Sequence, residues 1–238
     1  MTAPALLAIA HGTDSVEGRA LVGGLVAAIR ARVPETRGGH VDVLQPDVPT
    51  VLSKLPSGTP AVIVPLLLSA GYHVRVDLAE SAAGADREVV VAGALGPDDG
   101  LVALLARRLD EAGAVDADEV VLAAAGSSDP DAVEDCRDTA ARLAARLGRS
   151  VRIGFLSAAE PRLRSAVREA RASGRRVVVA TYLLAPGYFL GLVEAAGADV
   201  VARPLLDTGP APRELVDAAV ARYEAARAAG PLMASTSA

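Results

Sequence analysis

Short apolar runs, each ending in a small or polar turn, divide this chain into strands. The runs are continuous instead of alternating, which is typical of strands that are covered on both faces. With their turns they occupy residues 5–14, 40–44, 60–72, 89–97, 120–129, 150–156, 176–188 and 199–210. This pattern predicts a sheet that is buried between layers of helices.

The segments between these runs have the period of an amphipathic helix. Apolar residues recur at four-residue spacing from Leu21 to Val33, and Asp14 or Ser15 stands before them as an N-cap. The same pattern returns at 101–109, 130–147 and 213–228. Strands that alternate with helices predict right-handed βαβ units, parallel sheets and hence an α/β fold.

The pattern of the first half is repeated in the second. "ALLAIAHGTD" and "VVLAAAGSSD" begin 115 residues apart (120 minus 5), and "PAVIVPLLLSAGY" and "RVVVATYLLAPGY" begin 116 apart (176 minus 60). Pro49 and Pro161, which follow the second strand of each half, are 112 apart. This spacing predicts two similar α/β modules, at 1–115 and 116–229, followed by a disordered tail at 230–238.

Composition excludes several classes of function. The chain has 238 residues, a net charge of −5 and one cysteine, Cys136, which we expect to be buried on a helix. A single thiol cannot form an internal disulfide, an iron–sulfur cluster or a structural zinc site. No apolar run approaches the roughly 20 residues of a membrane span, and no long basic run favours nucleic acid. We therefore expect a cytoplasmic protein, monomeric or homodimeric, that binds neither membranes nor nucleic acid.

Two of the three histidines lie where an α/β fold binds ligands. His11 ends the first strand and His73 follows the third, so both are expected at the carboxyl edge of one sheet, where ligand crevices form. Two imidazoles across a crevice suit Fe, Co, Ni or Zn, and neutral imidazoles also accept protons. The alternative is that each histidine merely caps a helix. His40 opens the predicted second strand, so we expect it at the opposite end of the sheet.

The segments "LLAIAHGTD", "VDVL" with its downstream proline, "VIVPLLLSAGYHVRVDL" and "ALGPD" resemble the class II tetrapyrrole chelatases. This family comprises the sirohydrochlorin and cobalt chelatases of siroheme and cobalamin synthesis. The resemblance covers roughly residues 4 to 228 and is to the double-length form. It implies two chelatase-like modules, each a mainly parallel four-stranded sheet flanked by helices, with the tetrapyrrole cleft between them.

The resemblance also implies roles for individual residues. His11 and His73 match the family's two histidines, which bind the incoming metal and help to remove the pyrrole protons. The family commonly has a glutamate after its second strand, where this chain has Gln45, and a glutamine cannot take up a proton. Either a neighbouring aspartate, Asp42 or Asp47, replaces the glutamate, or the third site is dispensed with. Asp42 is our candidate, although it is equally well explained as a polar strand residue. In the second half we match His11 with Gly126 and His73 with Phe189, which leaves that copy without nitrogen ligands.

The resemblance thus implies ATP-independent insertion of a divalent metal, Fe²⁺ in preference to Co²⁺, into sirohydrochlorin. The metal is a substrate, and no permanently bound cofactor is expected. The carboxylates of the tetrapyrrole would dock on residues that surround the two histidines, namely Gly12, Thr13, Ser69, Ala70, Tyr72 and Arg75. A cobalt chelatase of cobalamin synthesis and a non-catalytic carrier of metal or tetrapyrrole are the alternatives.

Overall fold

The computed structural model describes residues 3–41, 44–69 and 71–229, of which 72–75 are described by their backbone alone. Strands and helices alternate along these residues. The strands are β1 (Ala5–Ala10), β2 (Thr36–His40), β3 (Ala61–Pro65), β4 (Val89–Val91), β5 (Glu119–Ala124), β6 (Val151–Phe155), β7 (Val177–Tyr182) and β8 (Val200–Val201). The helices are α1 (Val16–Arg32), α2 (Val48–Ser53), α3 (Tyr72–Ala83), α4 (Asp99–Glu111), α5 (Pro130–Leu147), α6 (Leu163–Arg171), α7 (Tyr188–Glu194) and α8 (Arg213–Ala229).

The strands form two parallel sheets of four. Their orders are β2-β1-β3-β4 and β6-β5-β7-β8, so the first strand of each half lies inside its sheet, between the second and the third. Every residue of β1 and β5 is buried, as the continuous apolar runs predict. The predicted α/β fold with two similar four-stranded modules is confirmed.

The last helix of each half packs against the sheet of the other half. Helix α4 lies on β7 of the second sheet, while α8 lies on β3 and β4 of the first. Together with α1 and α5, these helices form an inner layer between the two sheets, and one apolar cluster runs through it from Leu6 of β1 to Tyr182 of β7. Helices α2 and α3 cover the outer face of the first sheet, and α6 and α7 cover that of the second.

Two arginines, one on α4 and one on α8, hold these crossing helices against the opposite half. Arg108 of α4 donates to the carbonyl oxygens of Pro204 and Leu205, at 3.1 and 2.9 Å. Arg222 of α8, 114 residues later (222 minus 108), donates to those of Ala94 and Leu95, at 2.6 and 3.1 Å. Each guanidinium therefore binds the loop that follows the outer strand of the opposite half. The two halves therefore share one core, and each donates side-chain hydrogen bonds to a loop of the other.

The second strand is not where the apolar pattern predicts it. The run at 40–44 is apolar, yet β2 consists of the preceding residues, Thr36–His40, with the sequence TRGGH. Two glycines are poor strand formers, but a β-carbon at Gly39 would lie 2.8 Å from Cγ2 of Val51 and 2.9 Å from Cδ1 of Ile9. The glycine therefore lets α2 approach the sheet closely. As a consequence His40 ends β2 instead of opening it.

Cys136 is 3 % exposed and lies on the buried side of α5, as expected. Its burial raises the pKa of the thiol, so the group behaves as a small apolar side chain. No helix among the described residues combines the length and apolarity needed to cross a membrane.

Candidate functional site

The turn between β1 and α1 carries His11 on a hydrogen-bonded frame. Oγ of Ser15 accepts from the amide of Gly18 and caps α1, while Oγ1 of Thr13 accepts from the amide of Ser15 at 3.2 Å. Arg19 donates to the carbonyl oxygen of Thr13, also at 3.2 Å. His11 itself is exposed. The turn therefore presents an imidazole to solvent from a position that the surrounding bonds hold in place.

His73 lies at the same edge of the same sheet. Strand β3 is hydrogen-bonded to β1, and α3, which follows β3, begins at Tyr72, so His73 is the second residue of that helix. Parallel strands bring their carboxyl ends to one edge, so His11 and the backbone of His73 lie at the same edge of the first sheet, as predicted.

The remaining predicted site residues divide into three groups. Gly12 and Thr13 lie in the β1–α1 turn, and Ser69 is partly buried in the β3–α3 turn, where its Oγ lies 3.7 Å from Sγ of Cys136. Tyr72 and Arg75 occupy the first turn of α3 by their backbone. Asp42 and Ala70 lie outside the described residues.

His40 lies at this edge as well, contrary to our expectation. It ends β2 directly beside Ala10, the residue before His11, because β2 ends where the strand was predicted to begin. Its Nδ1 is buried and has no hydrogen-bond partner among the described residues. The sequence pattern missed this position, since the glycines before it concealed the strand.

The second half contains the same turn as the one that carries His11. Its hydrogen bonds match, with Oγ of Ser127 accepting from the amide of Asp129 at 3.0 Å. The corresponding pairs, each 114 residues apart (126 minus 12), are Gly12 with Gly126, Thr13 with Ser127 and Ser15 with Asp129. The counterpart of His11 is therefore Ala125 and not Gly126. Both glycines have a positive φ, of 105° and 89°, which explains why glycine stands at each of them.

The turns of the two halves face each other. A β-carbon at Gly187, before α7, would lie 3.1 Å from Oγ1 of Thr13, and one at Gly71, before α3, would lie 3.0 Å from Oγ of Ser127. The turn after the first strand of each half thus contacts the turn after the third strand of the other half: β1–α1 contacts β7–α7, and β5–α5 contacts β3–α3. The carboxyl edges of the two sheets meet at these contacts, and the candidate site lies between the halves.

The second half has a phenylalanine at the position where the first has the imidazole of His73. Phe189 occupies the position of His73, 116 residues later (189 minus 73), and packs partly buried on the outer core of the second sheet. Tyr188, with its ring centroid 5.8 Å away, is instead 80 % exposed. Tyr188 was missed in the sequence, although the repeat of "SAGY" as "APGY" marked its position.

Gln45 lies in a turn that both halves share. The peptide bonds Gln45–Pro46 and Glu160–Pro161 are both cis and lie 115 residues apart (160 minus 45). Oε1 of Gln45 accepts from the amide of Asp47 at 3.1 Å, and Oε2 of Glu160 accepts from that of Arg162 at 2.8 Å. The second half thus has a glutamate at the position of Gln45, and the turn accommodates either residue.

Asp47, the other acid close to Gln45, has a structural role. Its carboxylate caps α2 and accepts from the amide of Thr50 at 3.0 Å. Hydrogen bonds from Thr50 and Gln45 hold the pKa of Asp47 below its ordinary value. A carboxylate with a lowered pKa is a poorer proton acceptor, which argues against Asp47 as the replacement for the glutamate.

Comparisons with known proteins identify both halves with one family. A model of the CbiX family matches residues 5–112 and 119–203. Among solved structures, SirB from Bacillus subtilis with Fe³⁺ superimposes with a TM-score of 0.80 at 20 % identity over 98 % of each chain. CbiX, described as the terminal enzyme for siroheme biosynthesis in denitrifying bacteria, gives 0.65 at 20 % identity over 93 % of this chain and 99 % of its own.

A third structure has the same fold within a larger protein. DR2241 from Deinococcus radiodurans, described as a multi-domain protein similar to chelatases, gives a TM-score of 0.66 at 18 % identity and covers 93 % of this chain but 55 % of its own. No curated protein matches the chain significantly. At these identities the structural likeness shows a shared fold, while the family match extends over both halves.

Proposed function

The chain belongs to the CbiX family, of the class II tetrapyrrole chelatases, and on that premise we propose that it inserts Fe²⁺ into sirohydrochlorin to form siroheme. Metal insertion into a tetrapyrrole follows from the family. Iron and sirohydrochlorin are supported by two proteins of the same fold, one of which was solved with Fe³⁺ and one of which is described as completing siroheme.

The observation that carries the proposal is the common edge of His11 and His73. A tetrapyrrole loses two N–H protons when a divalent metal enters its plane, so the reaction needs metal ligands and proton acceptors on one face of the ring. A neutral imidazole has one free lone pair that can serve either purpose. His11 is exposed and so can meet a metal ion that arrives from solvent.

The acidic side chains of the tetrapyrrole need cationic or N–H partners around these histidines. We propose Arg75, on the first turn of α3, and the backbone amides of Gly12, Thr13, Ser69 and Ala70. Tyr72, which precedes His73, completes this set. Arginine suits the role because its planar fork binds a carboxylate through two parallel hydrogen bonds.

Asp42 is proposed as the third acid–base group, in place of the glutamate that Gln45 replaces. Gln45 also favours a second candidate function, a non-catalytic carrier of metal or tetrapyrrole, because the amide cannot accept a proton. A cobalt chelatase would use the same residues with a different metal.

The deciding experiment is anaerobic incubation of the purified protein with sirohydrochlorin and Fe²⁺, Co²⁺ or Ni²⁺, without ATP. Formation of the metallated ring is followed by absorbance and compared with the uncatalysed rate at the same metal concentration. We expect insertion above that rate, fastest with Fe²⁺. Faster insertion of Co²⁺ would assign the cobalt reaction, and tight ring binding without insertion would assign the carrier.

The same preparation tests the remaining proposals. We propose a monomer or homodimer that acts in the cytoplasm and keeps no permanently bound cofactor, with the metal passing through as a substrate. Light scattering after size exclusion measures the oligomeric state, and elemental analysis of the purified protein measures any retained metal.

A further inference from the structure

Large hydrophobic side chains are exposed at few places in the described part of the chain. They are Val16, which is 73 % exposed, Val115, which is 54 % exposed, and Tyr188, which is 80 % exposed. Val115 lies in the connection between α4 and β5. The other two are the first residues of α1 and α7, on opposite sides of the contact between the β1–α1 and β7–α7 turns.

The contact between these turns is close. A β-carbon at Gly18 would lie 2.5 Å from the carbonyl oxygen of Pro186, and one at Gly187 would lie 3.1 Å from Oγ1 of Thr13. Val16 is two residues from the first of these glycines, and Tyr188 directly follows the second. By their backbone positions, both residues therefore lie beside the contact between the halves, close to the turn that carries His11.

The exposure of Tyr188 is not required by the packing of its helix. The neighbouring Phe189 packs on the outer core of the second sheet, as do Leu190 and Val193. The ring of Tyr188 lies at 52° to that of Phe189 and remains in solvent. The backbone before it is fixed, since the amide of Leu190 donates to the carbonyl oxygen of Gly187 at 3.0 Å. Tyr188 is thus an aromatic residue on a fixed backbone whose side chain contributes little to the core.

We propose that Tyr188, assisted by Val16, is the apolar contact surface for the tetrapyrrole ring, an inference that rests on the proposed function. A tetrapyrrole is a flat conjugated disc with a charged rim, and such discs bind to aromatic and aliphatic side chains. The first half supplies the imidazoles that face the metal. The second half, with Phe189 in place of the histidine, supplies a surface that does not compete for the metal ion.

Ring binding and metal binding can be measured separately. Metal-free sirohydrochlorin is titrated anaerobically into the wild-type protein and into Tyr188→Ala, Tyr188→Phe, Val16→Ala and the control Val115→Ala. We expect Tyr188→Ala to bind the ring about 3- to 10-fold more weakly, Val16→Ala to show a smaller loss, and Tyr188→Phe and Val115→Ala to match wild type. In turnover, Tyr188→Ala should raise KM for the ring and leave kcat nearly unchanged.

A titration with Co²⁺ alone distinguishes ring contact from a disturbed site, and we expect all five proteins to bind it equally. Wild-type ring affinity in Tyr188→Ala would overturn the inference, as would a loss of Co²⁺ binding or a fall in kcat alone. If wild type inserts metal while Tyr188→Ala binds the ring normally, only this inference fails. If wild type does not bind the ring at all, the proposed function fails with it.

Discussion

The hydroxyl of Tyr182, at the end of β7, donates a hydrogen bond to the carbonyl oxygen of Leu68 in the other half, at 3.1 Å. The side chain is 2 % exposed, and burial raises the pKa of the phenol well above its ordinary value. Leu68 directly precedes Ser69 in the β3–α3 turn. A β-carbon at Gly96 would clash with this hydroxyl, so the glycine makes room for it. The second sheet thereby positions a turn of the candidate site.

Tyr182→Phe should therefore affect both stability and the site. Removing the hydroxyl takes the hydrogen-bond donor from a partly buried carbonyl, which should cost about 1 kcal/mol of unfolding free energy. Tyr223→Phe is the matched control, because that hydroxyl also donates to a carbonyl oxygen, of Pro4, at 2.7 Å. Urea unfolding should show similar losses in both variants, whereas only Tyr182→Phe should raise KM for the ring. Equal KM values in the two would contradict a role in positioning the turn.

His73→Ala and His11→Ala should each abolish metal insertion and leave the fold intact. Each removes an imidazole from the shared edge of the first sheet, and the second half offers Ala125 and Phe189 at the matching positions. Anaerobic turnover and circular dichroism of the single variants measure the two effects. Turnover at the wild-type rate in His73→Ala would rule out the proposed chemistry.

Phe189→Ala should destabilise the protein without removing a metal ligand. The ring is partly buried on the outer core, so we expect a loss of about 1–3 kcal/mol, below the range for a fully buried phenylalanine. Metal titration of this variant should give the wild-type stoichiometry. A missing equivalent of metal would mean that the second half contains the site.

Gln45→Glu should fold normally and raise turnover. The turn already holds a glutamate at its counterpart, Glu160, in the same hydrogen bond to a backbone amide. The new carboxylate adds a proton acceptor at the position where the family resemblance implies a glutamate. Glu160→Gln, the reciprocal change, should leave turnover unaltered because no histidine lies at the matching positions of its half. A fall in turnover in Gln45→Glu would indicate that the amide itself is needed.

Acid should weaken the contact between the crossing helices. Arg107 of α4 donates to both carboxylate oxygens of Glu214 on α8, and these bonds lower the pKa of Glu214 below its ordinary 4.5. A depressed carboxyl pKa stabilises the fold above the unfolded-state value, and this contribution is lost as the pH falls through the folded-state value. Urea midpoints measured between about pH 3 and 7 should decline less steeply in Glu214→Gln. Glu224→Gln, whose pair with Arg227 lies within α8 alone, should keep the wild-type slope.

The parts of the fold that sequence could predict were those with a continuous apolar signal. β1, β3, β5 and β7 are fully buried strands and stand out for that reason. The position of β2 was not predicted because its packing on α2 depends on the absence of a side chain at Gly39, which a hydropathy pattern does not show. This error also moved His40 to the wrong end of the sheet.

The arrangement of the halves could not be predicted from periodicity. Leu101, Leu105 and Leu109 show that α4 has an apolar side, but not that β7 covers it. The common edge of His11 and His73 required only strand order and was predicted correctly. The register of the repeat is set by the positive φ of Gly12 and Gly126, which identifies these two glycines as counterparts. The predicted match of His11 with Gly126 was therefore wrong by one residue.

The exchange of α4 and α8 bears on how such a chain could have arisen by gene duplication. A single ancestral half would leave part of the inner face of its sheet uncovered, because the helix that packs there belongs to the other half. Two identical copies could have covered each other's sheets by exchanging that helix. After fusion of the two copies into one chain, one copy could then have lost its histidines. The hydrogen bonds from Arg108 and Arg222 would remain after cleavage of the chain at residue 115, since neither involves that peptide bond. Two fragments produced together should therefore reassemble, whereas either one alone would expose the part of its inner face that the other half covers and would aggregate.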